Sequence, residues 1–555
     1  MRHARTCHAL RGVPLINDVR APTTGCARPA TLPPVSENAA AEIAAGYATE
    51  GAALELGAVV VDNAADRSAR VRIPFATLNR HGLVAGATGT GKTKTLQNLA
   101  EQCSAAGVPV LLADVKGDLS GLARPGETSD RTAKRAQETG DDWTPTAFPV
   151  RFLSLGASGI GVPVRATITA FGPILLSKVL ALNATQESTL GLIFHWADQK
   201  GLALLDTKDL RAVIQHLLSD EGKAELKGIG GVSASTAGVI LRALVNLEAR
   251  GGDEFFGEPE FDPADLLTVE NGQGVVTLLE LADQQADPTL FSTFLMWLLA
   301  ELFEDLPEAG DIDKPKLVFF FDEAHLLFAD ASKAFLDRIE QTVKLIRSKG
   351  VGVFFCTQLP TDIPNDVLSQ LGARVQHALR AFTPDDQKAL TRTARTYPKS
   401  KVYDIEEALT SLGIGEAIVT VLSERGAPTP VAWTRLRPPR SLMAAIGEPA
   451  VTEAAKASPL WPRYGETVDR ESAYERLAAR TGANQAPETP ANTVPADQPP
   501  QPAPPQAPPP EQDEGPGLFE KAMKSSLFKQ IVRSVAREAT QEITRGVFGT
   551  ARRRR

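Results

Sequence analysis

Apolar and polar positions divide this chain into strand-like runs and helix-like stretches. Leu54–Asp62 and a second passage ending at Ile73 read as strands, and His81–Ala85 is a short apolar lead into a glycine-rich segment. Lys94–Gly107 has helical spacing and stops on a glycine. Val108–Asp114, Lys316–Phe321 and Val351–Thr357 are nearly unbroken apolar runs bounded by polar residues. Runs without alternation mark strands buried on both faces, as in a parallel sheet covered by helices. From about 165 to 305 the spacing turns helical, in Leu175–Leu182, Thr189–Gln199, Leu210–Leu218 and Ser235–Arg250. Leu290–Phe303 is the longest greasy stretch, but it is too short to cross a bilayer and carries Ser292 and Thr293, so it reads as a buried helix. Strands separated by helices predict an α/β fold, a parallel sheet with helices on both faces and a largely helical insertion.

Composition shifts set the expected boundaries. Residues 1–37, rich in Pro, Ala and Arg, form a tail without periodicity. The core is expected in two parts, 38–140 and 311–440, around the helical insertion at 141–310, with a C-terminal extension at 441–486. From 487 to 516, twelve of thirty residues are proline, so that segment cannot bury enough surface to offset its ordering entropy and reads as a flexible linker. Beyond it, Leu527, Ile531, Val535, Ala539 and Ile543 recur every four residues, which predicts an amphipathic helix within 517–555. That last segment holds ten basic residues against three acidic ones in a chain of net charge −8. Such asymmetry points to an anionic contact, either DNA, an acidic membrane surface or the body of the protein itself. The alternative is a helix that packs its apolar stripe and leaves its charges to solvent.

Overall composition narrows the class. With 43% hydrophobic and 23% charged residues, the chain reads as an ordinary soluble globular protein. Its four cysteines are scattered without a CxxC pattern, which argues against a disulfide scaffold or zinc site and for a reducing, cytoplasmic setting. No secretory leader is expected, and no integral membrane association.

The chemistry lies in three places. Gly86-Ala87-Thr88-Gly89-Thr90-Gly91-Lys92-Thr93 satisfies G-x-x-x-x-G-K-[ST], with a strand before it and a helix after it. Such a loop turns its amides inward onto phosphates. Lys92 reaches the β- and γ-phosphates of ATP, and the Thr93 hydroxyl ligates Mg²⁺. Second, the run Lys316–Phe321 ends in Asp322-Glu323, two carboxylates where charge is costly without a cation. Asp322 suits Mg²⁺ and Glu323 suits the attacking water, so ATP hydrolysis is expected. Third, Gln358 follows the run Val351–Thr357, where it either senses the γ-phosphate or is a plain loop glutamine. Arg347 is either an arginine finger acting across a subunit interface or a helix-end arginine meeting solvent, with Arg374 and Arg380 as substitutes. Val115-Lys116-Gly117-Asp118 is a phosphate contact, a subunit contact or simply a turn.

With these motifs in place the sequence resembles the HerA-like branch of the HerA/FtsK superfamily of P-loop ATPases, and within it a bacterial family of stand-alone HerA-like helicases. The resemblance runs through His81–Thr93, Asp114–Asp118, Gly172–Ser177, Leu182–Glu187, Phe255–Pro259, Asp322–His325 and Thr357-Gln358, continues to about residue 470, and returns at Arg545–Gly549. It implies a RecA/FtsK-like P-loop NTPase fold and a homo-oligomeric, usually hexameric, ring with ATP between subunits and duplex DNA in the pore. Lys92, Thr93, Asp322, Glu323 and Gln358 match the family's functional positions. Residues 38–85 are too few for the β-barrel of archaeal HerA, which places that protein's nuclease partnership in doubt here. The leading expectation is a DNA translocase. The alternatives are a nucleotide-gated scaffold ATPase and a protein-secretion or conjugation-type ATPase.

Overall fold

In the computed structural model, residues 38–481 are described apart from 227, 282–287, 311, 330 and 424. The tail at 1–37, the linker at 487–516 and the helix expected within 517–555 therefore lie outside the described residues. The strands are β1 (Ala53–Val61), β2 (Ala64–Pro74), β3 (Gly82–Ala85), β4 (Val110–Asp114), β5 (Val150–Leu155), β6 (Val162–Val164), β7 (Val269–Glu270), β8 (Gln273–Gly274), β9 (Val276–Glu280), β10 (Leu317–Phe321), β11 (Val351–Thr357), β12 (Ala373–Gln376), β13 (Glu416–Val421) and β14 (Ala432–Leu436). All but β7 and β8 join one sheet of twelve strands, ordered β2-β1-β14-β13-β12-β3-β11-β10-β4-β9-β5-β6. From β12 to β6 every neighbouring pair is parallel. From β12 back to β2 every pair is antiparallel.

The central strands follow their unbroken apolar sequences. All five residues of β10 and all seven of β11 are buried. Successive side chains point to opposite faces. Phe319, Phe321 and Phe355 join Phe294, Trp297 and Ile339 on one face, while Val318, Phe320 and Phe354 join Leu96, Leu99 and Val71 on the other. Helices thus cover both faces, as the fold class requires.

Two features depart from the sequence reading or sharpen it. Within 141–310, β5, β6 and β9 belong to the main sheet, so the helical block proper lies between β6 and β7. Its main helices are Ile168–Val179, Ala184–Gln199, Thr207–Leu218 and Ala234–Glu248. The strands escaped notice because β6 is three residues long and contains Pro163, while Arg151 and Ser154 interrupt β5. At the other end, β1 and β2 form a hairpin whose two turn residues, Asp62 and Asn63, both have positive φ (49° and 62°), the backbone a tight two-residue hairpin demands. Residues 38–85 thus build the antiparallel edge of the sheet.

The segment after β14 straps across the molecule. The buried Glu101 carboxylate, on the helix Lys92–Ala105, accepts the backbone N–H groups of Arg440 and Ser441 at 2.8 Å each. Gln97 donates to the Ser441 hydroxyl (2.6 Å) and to the Leu442 carbonyl (2.9 Å). Further on, the Tyr464 hydroxyl donates to Asp265 (2.6 Å), and Asp209 accepts the Tyr474 N–H (2.8 Å).

His81 closes the far end of β3. Its Nδ1 accepts the Val353 N–H (3.0 Å), so Nε2 carries the proton and donates to the Val343 carbonyl (2.7 Å). Burial pushes its pKa down to about 4. Because the unfolded histidine titrates near 6.5, its contribution to stability is complete above that pH and is lost as pH falls towards 4. Asn tolerates the φ of 62° found here. The stability advantage of the natural protein over His81→Asn should therefore shrink by up to about 3 kcal/mol between pH 7 and pH 4. Denaturant titration of both proteins across that range checks it; a constant difference would mean that His81 is charged in the fold.

Candidate active site

The glycine-rich loop leaves the buried strand β3 and enters the helix Lys92–Ala105 through Gly91, which caps it in a left-handed conformation. Its neighbours hold the loop from both sides. The Gly86 N–H donates to the Thr357 carbonyl at the end of β11 (3.2 Å), and the Ala87 N–H donates to the Ala378 carbonyl beyond β12 (2.8 Å). Gly86 has φ 150°, and a Cβ there would lie 2.5 Å from the His377 Cβ, so the loop can run this low only with glycine. The Lys92 ammonium sits over the loop, donating to the carbonyls of Gly86 (2.6 Å) and Ala87 (3.3 Å). Thr93 is half-buried on the first helical turn. Amides, ammonium and helix N-terminus together make a phosphate cradle.

His377 underlies this loop and was not anticipated from sequence. It is fully buried, its Nε2 lies 2.9 Å from the Thr95 hydroxyl, and burial, reinforced by Lys92, pushes its pKa down to about 4. A neutral imidazole therefore packs beneath Gly86, sparing the lysine a second positive charge. Only a fold that brings the end of β12 against β3 could reveal it.

Asp322 and Glu323 leave the end of β10, separated from the loop only by β11. Asp322 is almost fully buried and accepts the Glu323 N–H at 2.9 Å. Burial pushes its carboxyl above the usual carboxylate range, with Glu323 beside it acting in the same direction. A divalent cation would relieve that cost. Among the described residues no cluster of three or more His, Cys, Asp or Glu is placed to hold a metal alone. The hard oxygens of Thr93 and Asp322 instead fit Mg²⁺, an ion commonly held by one or two protein ligands together with nucleotide phosphates.

Glu323 adopts φ 48°, a left-handed conformation unusual for a non-glycine residue and costing about 1 kcal/mol or more. The turn is fixed by the Ala324 N–H donating to the Cys356 carbonyl (2.8 Å). Glu323 Oε1 lies 3.5 Å from the Lys116 ammonium, and Oε2 lies 3.4 Å from Nδ1 of His325. Lys116 belongs to the 115–118 segment whose role the sequence left open. The buried Asp114 carboxylate builds that turn by accepting the N–H groups of Lys116 (3.3 Å), Gly117 (2.8 Å), Asp118 (3.2 Å) and Leu119 (2.7 Å). Burial pushes Asp114 up to about 6. Partial burial opposes the charge on Lys116, but Asp322 and Glu323 outweigh it and hold its pKa above the ordinary lysine value.

The remaining candidates divide by sheet edge. Gln358 is exposed just past β11, on the edge that carries the loop and the two carboxylates. Arg347 is exposed in the turn Arg347–Lys349 that precedes β11, at the opposite edge. The length of that strand puts it roughly 20 Å from the loop of its own chain. Arg374 starts β12, also at the far edge, and donates to the Thr396 carbonyl (3.4 Å). Arg380 is exposed beyond β12, two residues past the Ala378 that anchors the loop. A cleft of about 270 Å³ opens beside the first helical turn, lined by Gly91, Thr95, Leu56, Ile414, Leu436 and Met443. Its mixture of apolar wall and adjoining phosphate cradle fits a nucleoside.

The profile of the family described as helicase HerA-like C-terminal matches residues 60–555. None of the curated proteins matches the chain. Among solved structures, the unbound bacterial conjugative coupling protein TrwB lacking its first 70 residues is 15% identical, covering 73% of this chain and 94% of that one with a TM-score of 0.47. The same plasmid coupling protein with ADP and Mg²⁺ gives 15% identity, 72% and 94% coverage and a TM-score of 0.46. VirB4 of Thermoanaerobacter pseudethanolicus gives 15%, 70% and 97%, and 0.43. No helix among the described residues is long and apolar enough to cross a membrane.

Proposed function

The chain belongs to the helicase HerA-like C-terminal family, and from that premise we propose that it is a Mg²⁺-dependent ATPase that drives translocation along duplex DNA as a homo-oligomeric, hexameric ring. The observation that carries the reading is the convergence, at the carboxyl ends of the adjacent parallel strands β3, β11 and β10, of a phosphate cradle, Gln358 and the pair Asp322–Glu323. Ligands of open α/β sheets bind at that edge.

Each residue has one task. The amides of 86–91 and the Lys92 ammonium bind the β- and γ-phosphates, Lys92 exchanging its loop carbonyls for phosphate oxygens. Thr93 and Asp322 hold Mg²⁺, which neutralises charge developing between those phosphates. Glu323 orients and polarises the attacking water. Gln358, beside it, reads the presence of the γ-phosphate. Arg347 serves the site of a neighbouring subunit, since it stands at the wrong edge to serve its own.

The decisive measurement is ATPase rate with and without duplex DNA, single-stranded DNA and RNA, at stated salt. A translocase should turn over severalfold faster with duplex DNA and follow single strands or RNA less well. A rate indifferent to every nucleic acid would replace this reading with a nucleotide-gated scaffold, and recruitment to a secretion complex would favour a protein-moving ATPase.

A further inference from the structure

We propose that Lys116 is a positioning residue that latches Glu323 away from the attacking water, and that phosphates of bound duplex DNA release it. The inference rests on the ATPase and DNA reading above and adds to it the device that couples the two. Both oxygens of Glu323 are engaged, Oε1 by the Lys116 ammonium at 3.5 Å and Oε2 by Nδ1 of His325 at 3.4 Å. A carboxylate held at both oxygens has no free one to accept a hydrogen bond from water, so one contact must open before hydrolysis. The two differ in how easily they open. His325 lies two residues along on the same turn as Glu323, whereas Lys116 reaches across from the loop after β4.

That loop is rigid while its lysine is not. Four backbone N–H groups from 116 to 119 converge on the Asp114 carboxylate, which is 1% exposed. The Lys116 side chain, by contrast, is 46% exposed, and that of Glu323 only 13%. A polyanion arriving from solvent therefore meets the ammonium without meeting the carboxylate. Lysine is a compact cation on a flexible stem, and a phosphodiester competes for it as an equal-charge partner. Withdrawal of the ammonium frees Oε1 while Glu323 stays fixed by its own backbone. The basal state is thereby kept slow until substrate is present.

The test uses the full chain and duplex DNA. DNA-free turnover of Lys116→Ala should rise by about threefold to tenfold, the scale of one partly exposed ion pair. Its stimulation by DNA should fall to near one, because the latch is already open. Lys116→Arg, which keeps the cation, should retain both the slow basal rate and the stimulation. Lys116→Met, of similar length without charge, should behave like Lys116→Ala and serves if the alanine variant folds poorly. A DNA-free rate that stays level or falls in both uncharged variants, with stimulation as in the natural protein, overturns the latch. If the natural protein ignores DNA yet the uncharged variants turn over faster, the latch stands and the DNA reading falls.

Discussion

Glu323→Gln should bind ATP with near-natural affinity and lose about 10²–10⁴-fold in turnover, the range expected when a general base is removed. The substitution keeps length and backbone, so the left-handed φ of 48° at this position is no worse than before. It leaves Asp322 and Thr93 to hold Mg²⁺ and Lys92 to hold phosphate. What goes is the negative charge that polarises water. Lys92→Ala should do the reverse, losing nucleotide affinity first, because the only ammonium bonded to the loop carbonyls of Gly86 and Ala87 disappears. Equilibrium nucleotide binding and single-turnover hydrolysis separate the two. Turnover of Glu323→Gln within tenfold of the natural protein would remove this residue from the mechanism.

Arg347→Ala should bind ATP normally and hydrolyse it at least about 10³-fold more slowly, the loss associated with an arginine finger. The expectation turns on position. Arg347 precedes β11, while the phosphate cradle and Asp322 stand at the other edge of the same sheet. No side chain spans that gap, so an effect of this size requires a second subunit. Mixing Arg347→Ala with Glu323→Gln chains should then recover part of the activity, since some interfaces pair an intact Glu323 with an intact Arg347. Specific activity should also rise with protein concentration. No recovery together with concentration-independent turnover would mean the site is complete in one chain, and Arg380, on the loop's own edge, would become the residue to replace.

The core of this site was legible because it is local. An apolar run buried on both faces announces itself, and in β3, β10 and β11 the functional residues follow directly in sequence. Sequence order therefore gave the phosphate loop, Asp322, Glu323 and Gln358 at the correct strand ends. What was illegible depends on pairing between distant segments. Lys116 meets Glu323 only because β4 lies beside β10, and His377 lies under Gly86 only because β12 lies beside β3. Neither adjacency leaves a trace in composition or periodicity. Arg347 shows the same limit in reverse, for its motif context was visible but the sheet edge it occupies was not. β5 and β6 were missed for a different reason, being short strands whose polar residues break the apolar signal.

The hydrogen bonds of Glu101 and Gln97 to the 440–442 backbone also make the molecule a transmission. The helix that begins at Lys92 feels the phosphates at one end, and a turn and a half in from its other end it grips the strap leading to the helical block. Those bonds are buried, so a displaced helix end cannot exchange them for water without cost and must drag the strap along. Movement started by one phosphate is therefore delivered as a stiff displacement to Tyr464, Asp265 and Asp209, on the far side of the sheet from where the chemistry occurs.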